Sequence, residues 1–127
     1  MVDVVSRVSA GSAFQPGVIR RIAGMVSDRF PPVDQQGFEV SDTIADAAML
    51  PGDMLFGVTF AGYEAEARHG SLVLFRVERG GSLESWTLGR AVMQRGARTY
   101  LPVHGDIPAD AVPIYLLIGI RRDYFLS

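Results

Sequence analysis

The side chains able to do chemistry in this chain form a short inventory. Its 127 residues include no cysteine, which removes disulfides, thiolate catalysis and Cys-ligated zinc. All 12 basic residues are arginine. A guanidinium stays protonated in proteins, so no side-chain amine is present to serve as a neutral base. The remaining groups able to take a proton from a hydroxyl are His69, His104 and the α-amino group. His69 falls in a turn before an apolar strand, and His104 in a connection rich in Pro and Gly. Both positions suit a solvated surface imidazole better than a catalytic one. Asp42, Asp46 and Asp53 lie close enough in sequence to suggest a cation site, but their spacing matches no calcium loop. Helix capping and turn formation account for them more simply. Arg20-Arg21 and Arg121-Arg122 could each contact phosphate, although paired arginines commonly occupy a solvated face.

The elements that would position these groups are short strands. Val2 to Val8 is β-branched and suits a strand, and Ser9 to Ala13 is a small-residue loop. Pro16 could open a short helix, because Val18, Ile22, Met25 and Val26 recur at helical spacing, and Pro31-Pro32 closes it. Phe38 to Val40 is a short strand. Thr43 to Ala48 could make one or two helical turns, with Thr43 as N-cap and Asp46 three residues on. After the Pro51-Gly52 turn, strands are expected over Met54–Phe60, Leu72–Val77, Ser85–Met93, Thr99–Val103 and Ile114–Ile120. The aromatic residues Phe56, Phe60, Phe75, Trp86, Tyr100 and Tyr115 fall mostly within these strands and read as core. Turn signals every ten residues or so indicate a mainly β domain rather than a βαβ repeat.

Length and composition agree with one soluble globular domain: 48% of residues are hydrophobic and 20% charged. No apolar run approaches a membrane span, and no basic-then-apolar leader opens the chain. The net charge of −2 argues against a domain that grips nucleic acid by its own field, so DNA contact would require a separate segment or chain. No cofactor is expected.

In order, five segments resemble the LexA/UmuD/phage-repressor autopeptidase superfamily. Val4 to Gly11 (VVSRVSAG) is similar to the strand that runs into an Ala-Gly cleavage site, here Ala10-Gly11. Val40 to Asp53 (VSDTIADAAMLPGD) resembles the segment that carries a Ser-Met pair and ends in Gly-Asp, with Thr43-Ile44 in place of Ser-Met. His69 to Phe75 (HGSLVLF) resembles the Gly-Asp-plus-apolar strand, with Ser71 where Asp is usual. Trp86 to Val92 (WTLGRAV) resembles the strand carrying the catalytic lysine followed by arginine, with Gly89 at the lysine position and Arg90 retained. Ile114 to Arg122 (IYLLIGIRR) resembles the closing strand. The order and separations carry the resemblance once a loop insertion at Gly80 to Ser85 is allowed.

This resemblance implies a compact fold of short, highly twisted antiparallel strands with one or two short helices, filling residues 1–127. It implies a bacterial, cytoplasmic regulator of the phage or SOS type, with no DNA-binding domain of its own within this chain. Family members cleave themselves with a serine hydroxyl activated by a lysine that desolvation keeps neutral. With Thr43 and Gly89 at those two positions, the chemistry is expected to be absent and Ala10-Gly11 to be a vestigial cleavage site. A GC-rich genome explains most of the lysine-to-arginine drift, but not the loss of a lysine needed for catalysis. The expected role is a non-catalytic regulatory domain that forms a homodimer and binds a protein partner, either as part of a transcriptional regulator or as a stand-alone UmuD-like dimer. Ile118, Ile120, Tyr124 and Phe125, around the end of the last strand, are the candidate dimerisation residues. The competing expectation is an active autopeptidase that pairs Thr43 with a histidine.

Overall fold

The computed structural model describes residues 2–8, 20–22, 29–41, 43–44, 47–79, 83–103 and 106–122. Among these residues the β-branched and aromatic runs form eight strands: β1 (Val2–Val8), β2 (Arg20–Ile22), β3 (Gln36–Val40), β4 (Met54–Thr59), β5 (Leu72–Arg79), β6 (Leu83–Gln94), β7 (Ala97–Pro102) and β8 (Val112–Arg121). They form one sheet in the order β2-β1-β3-β4-β8-β5-β6-β7. Every neighbouring pair is antiparallel except β1 with β3, which runs parallel. The domain is mainly β, as the turn spacing predicts.

Arg20–Ile22, expected within a helix, is instead a rim strand paired antiparallel with Val2–Val4. Four apolar residues at helical spacing carry little helix-forming energy on their own. The open edge of β1 offers backbone hydrogen bonds to an extended chain, and tertiary pairing overrides the local pattern. After Thr43, Ile44 and Met49 are joined by an antiparallel bridge. Ala48, just before Met49, adopts a left-handed φ of 55°.

Both faces of the sheet centre are buried. Phe38, Val40, Ile44, Met49, Leu55, Leu74, Leu88 and Val103 form a first cluster. Phe30, Val58, Phe60, Val73, Phe75 and Leu116 form a second. Alternation along β5 sends Val73 and Phe75 to the second cluster and Leu74 to the first, which explains its unbroken apolar sequence. β8 is irregular at two places. Its pairing with β5 passes from Tyr115 to Pro113, and its pairing with β4 from Gly119 to Leu117, so Ile114 and Ile118 are extra residues. Such bulges bend and twist a strand. Here the first lets the consecutive residues Ile114 and Tyr115 both pack on the first cluster, which a regular strand forbids.

The sole α-helix among the described residues, α1 (Phe60–Tyr63), is too short to be stable alone and is held by its surroundings. Phe60 is buried in the second cluster. The Tyr63 ring meets Phe30 edge-on at 5.2 Å, and its hydroxyl donates to the Asp34 carboxylate. That bond to a carboxylate raises the Tyr63 phenol above its usual range.

Candidate functional site

Position 89 lies in β6 opposite Val73 of β5 and Pro102 of β7. Leu88 packs in the first cluster, so Gly89, the next residue along the strand, opens to the other face. That space is occupied. A β-carbon at Gly89 would stand 2.8 Å from Phe75 Cε2 and 2.8 Å from Ile107 Cδ1. The Phe75 ring is itself wedged by Tyr100, edge-on at 4.9 Å. The glycine lets an aromatic ring cover the strand, a frequent reason for glycine inside a sheet. A lysine stem has no room there without displacing core residues.

Thr43 is exposed. Its neighbour Ile44 packs in the first cluster, on the face of the sheet to which Leu88 also turns. Position 89 faces the opposite side of the sheet, toward Phe75 and Ile107 of the second cluster, so the two resemblance-marked positions do not share a face. His69 is exposed, and its Nδ1 accepts the Met93 N–H at 3.1 Å. An accepting Nδ1 has its lone pair engaged and leaves the ring hydrogen on Nε2, so this imidazole acts as a backbone cap for β6. His104, Ala10 and Gly11 lie outside the described residues, as do Asp42 and Asp46.

The strongest polar constellation joins the ends of the second and fifth segments of the resemblance. Asp53, next to Gly52 in the turn before β4, is 1% exposed. Its carboxylate receives a two-pronged bond from Arg122 just past β8, with Nε to Oδ1 at 2.7 Å and Nη2 to Oδ2 at 2.5 Å. The Leu50 N–H also donates to Oδ2 at 2.8 Å, and Arg122 Nη2 donates to the Ala48 carbonyl at 2.8 Å. The Arg122 bond is the main reason the Asp53 carboxyl sits below its usual range; burial opposes that shift, and the Leu50 N–H and the arginine charge add to it. The carboxylate is thus committed to an ion pair, and the Arg122 guanidinium, suggested by the Arg121-Arg122 dipeptide to be a solvated one, is held by Asp53 while its side chain keeps 31% of its surface exposed. Arg121 also turns inward, its guanidinium 5.7 Å from the Phe56 ring centre. Among the described residues no group of acidic, histidine or cysteine side chains could hold a metal. No helix among them is long and apolar enough to cross a membrane.

Of the candidate dimerisation residues, Ile118 packs partly buried against the second cluster, and Ile120 is 44% exposed. Tyr124 and Phe125 lie outside the described residues. Sequence reasoning missed Phe75 and Ile107 as the residues that fill position 89, and Arg122 as the partner of Asp53. A signal for the second existed: an aspartate leading straight into the apolar run Met54–Phe56 needs a cation if it is buried. No family model, characterised protein or solved structure matches this chain.

Proposed function

We propose that this chain is a non-catalytic regulatory and dimerisation domain of the LexA/UmuD/phage-repressor type, serving a transcriptional regulator that is not switched by self-cleavage. The observation that carries the reading is the packing at Gly89. Where the resemblance places a lysine base, Phe75 and Ile107 occupy the volume that its side chain would need. A vacant pocket would leave room for a base supplied in another way, whereas a filled one is part of the core. The accepting Nδ1 of His69 supports the same reading, because its lone pair is used within the fold. A net charge of −2 fits a domain that acts on protein partners and leaves DNA to another segment or chain.

Prolonged incubation at raised pH followed by mass measurement tests this. The expected result is an intact chain. Fragments divided between Ala10 and Gly11, absent from the Thr43→Ala variant, would show an active autopeptidase and end the proposal.

A further inference from the structure

β7 forms one rim of the sheet. Its outward groups follow from the bonds on its inner side. The Val103 N–H reaches the Leu88 carbonyl at 2.9 Å, while the Ala91 N–H turns the other way, to the Ser71 carbonyl at 2.8 Å. Leu88, Arg90, Val92 and Gln94 therefore point their backbone groups at β7, and their partners Leu101, Thr99 and Ala97 point back. Arg98, Tyr100 and Pro102 are left with backbone groups directed outward. Among the described residues no strand pairs with that side.

We propose that this rim pairs with the same rim of a second copy, antiparallel across a two-fold axis at Thr99, so that one sheet runs through both chains. This deepens the dimer part of the proposed function and rests on it, but it sets the seam on β7 in place of the last-strand residues Ile118 and Ile120 that the resemblance suggested. The edge is self-complementary. With Thr99 on the axis, Arg98 of each copy faces Tyr100 of the other, and each such pair exchanges two backbone hydrogen bonds. The ladder stops where Pro102, which has no N–H, comes opposite Gly96 of the tight turn. A longer strand from an unrelated protein would run past that proline and leave a carbonyl unmatched. On one face Thr99 meets Thr99, and Leu101, 58% exposed, meets the small side chain of Ala97. On the other face each Arg98 is already neutralised by its own Glu64 at 2.7 Å, so the pairing opposes no bare like charges.

Because the chain has no cysteine, Thr99→Cys supplies a single thiol in each copy. Facing residues at a non-hydrogen-bonded position lie about 4.5 Å apart at Cα, within disulfide reach. Mild oxidation should convert this variant to a covalent dimer, and Ile120→Cys on β8 should stay monomeric under the same denaturing readout. Sedimentation should show a dimer at tens of micromolar. Thr99→Glu should weaken it by roughly tenfold while leaving the far-UV spectrum unchanged, since Thr99 is exposed. A monomer at that concentration would overturn the inference together with the dimer part of the proposed function. A dimer that ignores Thr99→Glu, or is trapped through Ile120→Cys alone, would overturn this interface and leave the dimer reading standing.

Discussion

Arg122→Ala is expected to destabilise the domain by about 3 kcal/mol at neutral pH and to reverse how its stability responds to acid. The magnitude is taken at the lower end for breaking a buried pair, because the Arg122 side chain keeps 31% of its surface exposed while that of Asp53 keeps 2%. Two losses combine in this variant: an uncompensated carboxylate is left inside the protein, and the Ala48 carbonyl loses its donor. In the native protein the folded Asp53 carboxyl titrates below its unfolded value of 3.8. Its stabilising contribution is therefore complete above that value and fades as pH falls through the lower, folded one. Without Arg122, burial outweighs the remaining Leu50 bond and lifts the carboxyl above its unfolded range. The contribution of the group is then greatest below pH 3.8 and is lost as pH rises. Urea unfolding between pH 3 and 8 measures both effects. Equal acid dependence in native protein and variant would show that the pair does not govern the titration.

Gly89→Lys is the second large effect. Restoring the residue that the resemblance places there, even together with Thr43→Ser, is expected to unfold the domain rather than revive cleavage. The β-carbon alone meets Phe75 and Ile107 at 2.8 Å. Overpacking of this kind costs about 1–3 kcal/mol, and burying an ammonium without a partner adds to it. Gly89→Ala isolates the steric part. Combining Gly89→Ala with Ile107→Ala should recover part of the loss, because the truncated side chain gives up the contested volume, although it forfeits its own packing. Thermal unfolding of the three variants reads this directly. If Gly89→Lys instead melts like the native protein, the core has a second packing there and the main support for a non-catalytic domain is gone.

The strands were readable because each needed only local information. Met54–Thr59, Leu72–Arg79 and Val112–Arg121 carry dense β-branched and aromatic residues between turn residues, and all three become strands. The segment around Ile22 misled, because helical spacing across four residues is weak and a neighbouring strand edge had a use for an extended chain. At the candidate site the sequence reveals missing groups but not what replaces them. Gly89 shows that a side chain is absent; that a ring and an isoleucine fill its place depends on β5 and the segment before β8 converging there. The Asp53–Arg122 pair is hidden for the same reason. The partners are 69 residues apart, and no periodicity reports which distant charge returns to which carboxylate.

The position of β8 bears on how the chain acquires its structure in time. It is the last in sequence of the strands among the described residues, yet it lies in the interior of the sheet between β4 and β5. During synthesis β1–β4 and β5–β7 can each form beforehand, but both then present an unpaired inner edge until residues 112–121 emerge. The closing contacts join residues far apart in sequence, which slows the final step. A ribosome stalled before Val112 would release two open sheet edges, the kind of surface that invites aggregation and draws chaperones. The Arg122–Asp53 pair forms only after that strand is seated, so it marks a sheet whose two halves have closed.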